Sequence, residues 1–339
     1  MTWGDFGRRR GDSRRDGAAR EGYVTIDTRF VERNHKASRK GTQLMAITRL
    51  TRLDLSNLSA WISTAMPWLD KPAASLHNAF DPIFGQQGVP IVKDALYGTW
   101  LGHPLHPPIT DLPIGFWTSS LVFDVLEMED AADLTLKLGT VSAVGAAVTG
   151  VAQWHDLQEM ESPRRLGTLH AILNVSATAC YGASWVLRER DARAAGIAFS
   201  TIGIALATAG GLLGGDLAYK LGIGVSRVAF DEQEAEWTII AAIDDIEDGR
   251  LHRVEVSGES IVVLKQGQVI HAASATCTHV GGPLDEGEID GTCVTCPWHG
   301  SQFDLRDGRV IHGPATSPIH AYETRVTNGH VQIRARAKK

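Results

Sequence analysis

Two short segments of cysteine and histidine constrain this chain more than any other feature. One reads Cys277-x-His279 and the other Cys296-x-x-His299, with sixteen residues between them. Thiolates and imidazoles together bind zinc or the irons of iron–sulfur clusters. Glycine and proline flank both segments, which is typical of loops whose backbone approaches a bulky group. The pattern therefore predicts a metal centre with four ligands, held by two loops.

The two segments, "CTHVGGPL" and "CPWHGSQFD", resemble the Rieske iron–sulfur proteins, and the resemblance covers residues 236–335. It implies an all-β fold of antiparallel sheets with a [2Fe-2S] cluster at one tip. In such proteins the cysteines, here Cys277 and Cys296, bind one iron, and the histidines, here His279 and His299, bind the other. The resemblance also places two further residues beside the cluster, Ser301 and, in a third loop, Pro314.

The resemblance further indicates which type of Rieske centre to expect. Gly282 and Trp298 stand where the proteins of respiratory complexes carry a bracing disulfide, and Phe303 stands where those proteins have a tyrosine that donates a hydrogen bond to the cluster. Fewer donors to sulfur stabilise the reduced cluster less. We therefore expect the ferredoxin type, with a reduction potential of roughly −150 to +50 mV. A domain without a bracing disulfide suits a reducing compartment.

The remaining cysteines allow other interpretations. Cys293-x-x-Cys296 has the spacing of a zinc-binding pair, so a structural zinc module stays open on the residues alone. That module would leave His299 without its partner in the motif. Otherwise Cys293 is a spare thiol on the strand before the second loop, and Cys180 is a packing residue in an apolar run.

The middle of the chain contains four apolar runs, each about 20 residues long, which is the length of a membrane-spanning helix. The runs are 109–128, 134–154, 169–187 and 194–215. Alanine, glycine, serine and threonine dominate them, often four residues apart, and such spacing lets membrane helices pack closely. The sequence therefore predicts an all-α four-helix transmembrane bundle. The alternative is a soluble bundle, which the polar residues Asp111, Asp124, Lys137 and Asn174 keep open.

Four histidines lie at the ends of these runs, at His103, His106, His155 and His170. An even number of spans returns the chain to its starting side, so all four belong to the membrane face from which the cluster domain follows. We expect a site at this face that binds haem, a metal or a quinone, because boundary histidines often mark such sites. The alternative is that they make ordinary interfacial hydrogen bonds. "GHPLHPPITDLPIGFW" also resembles an uncharacterised bacterial family of four-helix membrane proteins with an H-P-x-H-P box.

These features divide the chain into four parts. Residues 1–60 form a basic head, with 13 Lys and Arg against 7 Asp and Glu, and we expect it to be disordered. No apolar core of a signal peptide is visible there, and the true start could be Met45. Residues 61–97 form a linker or amphipathic segment, 98–227 the membrane domain and 231–339 the Rieske domain. The expected location is the bacterial inner membrane, crossed several times, with the Rieske domain in the cytoplasm.

The predicted function is that of a membrane-anchored Rieske electron-transfer protein, either a ferredoxin-like carrier or a subunit of an oxidoreductase. Its partners would be a redox protein, either a reductase or an oxygenase, and membrane lipid, and we expect no nucleic acid. The sequence shows no recognisable facial triad for a catalytic iron and no dinucleotide-binding fingerprint, so no catalytic residue is assigned. A redox sensor whose cluster signals is the alternative function.

Overall fold

A computed structural model describes residues 57–86, 88–231, 233 and 235–336. Most of the predicted disordered head 1–60, namely residues 1–56, lies outside the described residues, as does the alternative start at Met45, whereas Leu58–Ala60 belong to an α-helix. The rest folds into a helical domain followed by a β domain, in the order that the sequence predicts.

Seven α-helices form the described part of the helical domain. They are α1 (Leu58–Ala65), α2 (Asp70–Phe84), α3 (Pro90–Tyr97), α4 (His106–Val125), α5 (Glu129–His155), α6 (Glu161–Arg188) and α7 (Arg193–Gly215). Proline begins α3 and occupies the first turn of α4, where a missing backbone N–H costs nothing. Helix α3 ends at Gly98, whose φ of 86° suits a glycine cap. The four long helices α4–α7 contain the four predicted apolar runs, except that residues 126–128 of the first run lie beyond the end of α4.

The four long helices are two hairpins, α4–α5 and α6–α7, related by an internal repeat. Residues at equivalent positions of the two hairpins are 64 positions apart in the sequence and contact each other. The rings of His106 and His170 are 6.2 Å apart, and Asp124 forms an ion pair of 2.6 Å with Arg188. Between these pairs the rings of Trp117 and Tyr181 stack with centroids 4.0 Å apart. The two halves therefore pack around a pseudo-twofold axis.

Glycine makes this central aromatic pair fit. A Cβ on Gly139 would lie 2.5 Å from the Trp117 ring, and a Cβ on Gly203 would lie 2.8 Å from the Tyr181 ring. The neighbouring helix of each hairpin thus approaches the ring through a position that has no side chain. Small residues in the runs therefore set the helix spacing, as the sequence indicates.

The three short helices form a layer at one end of the bundle. Ile62 and Leu69 pack with Leu166 and Leu213 of the long helices, and Ala73 packs with Trp154. The segment 61–97, expected as a linker or amphipathic segment, is thus mostly helical and contributes to the packed core. Its burial fixes α2 and α3 on the end of the bundle where α4 and α6 begin and α5 and α7 end.

The outer surface of the long helices is apolar. Exposed large hydrophobic side chains follow α5 and α7, and others lie on α4 and α6. Among the described helices, Glu129–His155 and the extended helix Arg193–Lys220 are long and apolar enough to cross a membrane. Three tryptophans of the end layer, Trp61, Trp68 and Trp100, are also exposed.

The β domain consists of three antiparallel sheets. Their strands are β1 (Thr238–Ala242), β2 (Leu251–Val256), β3 (Glu259–Gln266), β4 (Val269–Ser274), β5 (Glu288–Asp290), β6 (Cys293–Thr295), β7 (Gln302–Asp304), β8 (Val310–His312), β9 (Tyr322–Thr327) and β10 (His330–Ala335). The sheet orders are β1-β10-β9, β2-β3-β4 and β5-β6-β7-β8. Strand β3 is apolar and buried over Ile261–Leu264 and contributes to both β-domain cores. The third sheet positions the two loops that carry the cysteine–histidine segments.

Candidate functional site

The two loops bring Cys277 and Cys296 together in the core of the β domain. Both side chains are buried, and they hydrogen-bond each other, which lowers the pKa of Cys296 to about 7. Their loops have the same local closure, because the N–H of Gly281 bonds to Cys277 O and the N–H of Gly300 bonds to Cys296 O. Both sulfurs therefore point at one spot, as two ligands of one iron must. Cys293 lies apart from them on β6, only partly buried.

The two histidines face each other beside the cysteines. The rings of His279 and His299 are 5.2 Å apart and perpendicular. The Nδ1 atoms of both rings are buried and have no hydrogen-bond partner among the described residues. Burial lowers the pKa of His279 to about 4, so this ring is neutral at pH 7. Two orphaned, neutral ring nitrogens next to two buried thiols fit the ligand set of a [2Fe-2S] cluster of the Rieske type.

Ser301 and the loop that contains Pro314, both predicted to lie beside the cluster, contact each other. Ser301 is fully buried, and its Oγ accepts a hydrogen bond of 3.0 Å from the N–H of Ala315, the residue after Pro314. Phe303 is fully buried in the same core and brings no hydroxyl group. A Cβ on Gly282 would lie 2.6 Å from Cys296 Sγ, so this position is glycine because the sulfur comes so close.

All three loops at this tip contact the helical domain. The Gln86 amide donates to the carbonyls of Pro297 and Trp298, and Lys93 Nζ donates to His299 O at 3.1 Å. On the third loop, the carboxylate of Asp94 accepts from the N–H of Gly313 at 2.7 Å and lies 2.9 Å from His312 Nδ1. The ligand loops therefore rest on α3 and on the loop between α2 and α3.

The first loop rests on the end of α5. His279 Nε2 is 3.6 Å from Asp156 Oδ2, and Tyr97 donates a hydrogen bond of 2.5 Å to the same oxygen. Burial raises the pKa of the Asp156 carboxyl, but the surrounding His155, His279, His299 and Tyr97 groups outweigh burial, so the pKa lies below its usual value. A buried carboxylate is thus held against the outer nitrogen of His279.

The comparisons with known proteins agree with this geometry. The family described as "Rieske [2Fe-2S] domain" matches residues 236–323. The ferredoxin CarAc of Metapseudomonas resinovorans is 32% identical over 103 residues, which are 30% of this chain and 96% of that protein. The anthranilate 1,2-dioxygenase ferredoxin subunit of Burkholderia cepacia is 34% identical over 100 residues, 29% of this chain and 92% of that protein. This chain belongs to the Rieske [2Fe-2S] family.

Two further comparisons concern the helical domain and the solved structures. The family described as "Predicted membrane protein (DUF2231)" matches residues 102–227, which include the four long helices. Among solved structures, the ferredoxin of carbazole 1,9a-dioxygenase from Nocardioides aromaticivorans IC177 is 25% identical, with a TM-score of 0.29, and the match covers 30% of this chain and 100% of that one. The family model and the ferredoxin relatives show that the Rieske domain carries a [2Fe-2S] cluster and support its role in electron transfer. This domain follows a predicted membrane domain.

The structure separates the four histidines at the helix ends. His106 and His170 form one pair in the bundle, and their Nδ1 atoms bond to the carbonyls of Ala146 and Gly210. His103 is exposed, and its Nδ1 lies 3.1 Å from the carbonyl oxygen of Pro104. His155 lies elsewhere, beneath the Rieske domain, stacked on His77. A haem or quinone bound by these histidines stays a prediction.

The sequence did not single out the residues that seat the Rieske domain, which are Gln86, Lys93, Asp94, Tyr97 and Asp156. Four of them lie in the segment 61–97, which carries no motif of its own. Asp156 had a visible signal, because it follows His155 directly in "QWHDL". Two adjacent titratable residues at the end of an apolar run indicate a functional position.

Proposed function

We propose that this chain is a membrane-anchored Rieske electron-transfer protein in which the cluster exchanges electrons with the helical domain. The observation that carries the proposal is the contact of His279 with the end of the bundle. Histidine ligands provide the edge of a Rieske cluster that is nearest to the surface. Here the outer nitrogen of His279 faces Asp156, and the ring of Tyr97 lies 6.2 Å away.

The apolar surface of the long helices supports the anchor. A soluble protein rarely exposes a continuous apolar surface of this kind, whereas lipid-facing helices require it. The exposed Trp61, Trp68 and Trp100 lie in the end layer, where interfacial aromatic residues belong. The chain then crosses the bacterial inner membrane four times, with the Rieske domain on the cytoplasmic side.

A protein partner exchanges electrons with the cluster on a side that the helical domain does not cover. Trp298 lies between the cluster and solvent: its ring is 6.5 Å from that of His299, and half of its surface is exposed. The relatives are named as ferredoxin components of dioxygenase systems. We infer that a reductase or an oxygenase docks on the exposed side of the Trp298 ring.

Fractionation and a redox titration test the proposal together. The full chain should sediment with membranes, resist extraction by high salt and alkali, and dissolve only in detergent. The dissolved protein should show the absorption and electron paramagnetic resonance spectrum of a Rieske cluster. A fragment that begins at Asp231 should be soluble and keep this spectrum. A full chain that stays soluble without detergent would contradict the anchor, and a colourless protein that contains zinc would contradict the cluster.

A further inference from the structure

A second group of ligand-type side chains lies beneath the Rieske domain, at His77, Asp81 and His155. Each of the three side chains offers one nitrogen or oxygen atom as a metal ligand, and these three atoms all lie within 4.8 Å of one another. His77 and Asp81 are one turn apart on α2, so both project from the same face of the helix. His155 is the last residue of α5. Two helices that are distant in sequence thus bring two imidazoles and one carboxylate together.

The distances suit ligands of one ion. His155 Nε2 is 3.6 Å from Asp81 Oδ1, and the rings of His77 and His155 are 4.1 Å apart. Two ligands that each lie about 2.1 Å from the same ion are separated by about 3.0–3.5 Å. His155 Nε2 and Asp81 Oδ1 are thus close to binding positions, and a ligand atom of His77 lies within 4.8 Å of one on each of the other two residues. Because the two imidazole rings are stacked at 17°, the His77 side chain has to rotate to direct a nitrogen at the same ion.

His155 gives an independent sign of a missing ligand. Its side chain is only 5% exposed, yet within the described part of the chain its Nε2 has no hydrogen-bond partner, whereas the carboxylate of Asp156 lies beside its Nδ1. Buried polar atoms are almost always satisfied, so the unpaired Nε2 needs an explanation. A metal ion on Nε2, between His155 and Asp81, supplies one. The Asp81 side chain is 59% exposed, which leaves the site open on one side.

The group is joined to the Rieske cluster by a single residue. Asp156 Oδ1 is 3.5 Å from His155 Nδ1, and Asp156 Oδ2 is 3.6 Å from His279 Nε2. One buried carboxylate thus touches a cluster ligand with one oxygen and a residue of the group with the other. Carboxylates in this position orient metal-bound histidines and set their tautomer.

We propose that His77, Asp81 and His155 bind a mononuclear iron ion that exchanges electrons with the Rieske cluster through Asp156. Two imidazoles and one carboxylate with open positions are the ligand set of non-haem iron(II) sites. The transfer is balanced by one electron: the reduced cluster is oxidised, and iron(III) becomes iron(II). Because the Asp81 side chain is 59% exposed, a small ligand such as dioxygen would reach an ion held there from solvent.

Iron and sulfide analysis of the full chain in detergent tests the site. After anaerobic loading with Fe²⁺ and removal of excess metal, we expect three irons for every two acid-labile sulfides. His77→Ala and Asp81→Asn should each give two irons for two sulfides, with an unchanged Rieske spectrum as proof of folding. His103→Ala, which removes an exposed histidine outside the group, should keep three. Two irons in the wild type, or zinc in place of the third iron, would overturn the proposal.

Asp156→Asn tests the connection, and this second test rests on the proposed electron-transfer role. The variant keeps the shape of the side chain, and its iron and sulfide contents are measured first, so that the comparison uses only protein with three irons for every two sulfides. When one electron equivalent is added anaerobically to the oxidised protein, the spectrum of the reduced cluster should decay into the iron site. We expect Asp156→Asn to slow this decay by about tenfold. An unchanged rate would overturn the role of Asp156, and the absence of decay in the wild type would overturn the exchange itself.

Discussion

Removal of the buried cation at Lys93 should lower the reduction potential of the Rieske cluster. Lys93 is 5% exposed, and its ammonium group donates to His299 O at 3.1 Å and to Gly85 O at 3.3 Å. The reduced cluster carries one more negative charge than the oxidised cluster. A nearby positive charge therefore stabilises the reduced state and raises the potential. Lys93→Met removes this charge and keeps most of the apolar stem.

The size of the effect follows from the distance. The hydrogen bond to His299 O measures 3.1 Å. The His299 residue and one metal–ligand bond would add at most roughly 6 Å, so an iron held by His299 would lie within about 9 Å of the ammonium. At an effective dielectric constant of about 20, the interaction at that distance is about 1.8 kcal/mol. For a one-electron couple, 59 mV corresponds to about 1.4 kcal/mol, so we expect a fall of about 80 mV. Two unsatisfied carbonyls should also lower the thermal stability of the docked form.

Redox titration monitored by electron paramagnetic resonance measures the change. The matched control is Lys71→Met, which removes an exposed lysine from α2 and should leave the potential unchanged because water screens its charge. A Lys93→Met potential equal to that of the control would show that the Rieske domain does not rest on α3 in solution. A rise would refute the electrostatic argument.

Three further predictions concern the Rieske domain. Cys296→Ser should abolish cluster binding while Cys293→Ser keeps it, as judged by the visible spectrum, and the opposite result would refute the ligand assignment. Gly282→Ala should lower the free energy of unfolding by about 1–3 kcal/mol and promote cluster loss on heating, because the new Cβ meets the Cys296 sulfur. The control is Gly182→Ala, where a Cβ meets nothing within 4 Å, and this variant should melt like the wild type. The hydrogen bond from the Arg306 guanidinium lowers the pKa of Asp304 to about 2, so its stabilisation is complete above about pH 4 and disappears as the pH falls toward 2. Asp304→Asn should therefore lower the free energy of unfolding at pH 7 by about 1–2 kcal/mol, after allowance for screening of the exposed guanidinium, and equal denaturation midpoints would contradict this.

The cluster ligands and both fold classes could be predicted from the sequence because their signals are local. Cys277-x-His279 and Cys296-x-x-His299 each form one loop, so their spacing alone specifies the ligand geometry. The apolar runs are continuous segments about as long as a membrane-spanning helix, and their composition reports burial without knowledge of any neighbour. These predictions required no information on how distant parts of the chain meet.

The internal repeat was visible in principle but was missed. The counterparts differ in chemistry, as Trp117 and Tyr181 or Asp124 and Arg188 do, so simple self-similarity is weak. Their equivalence is apparent only when the ring stack and the ion pair are seen across the pseudo-twofold axis. A symmetric arrangement conserves positions in space more strictly than residue types.

A Rieske cluster after an apolar helical domain could be predicted from local residue patterns, whereas the surroundings of that cluster depend on how separate helices and loops pack together. His77 and Asp81 lie 78 and 74 residues before His155, in a segment without a motif, so the sequence does not indicate that these side chains meet. The packing of α2 and α5 brings them together, and the docking of the Rieske domain places His279 on Asp156. The physical reason is that spacing within one loop or helix fixes only local geometry, whereas contacts between separate elements depend on how the whole chain buries its apolar surface.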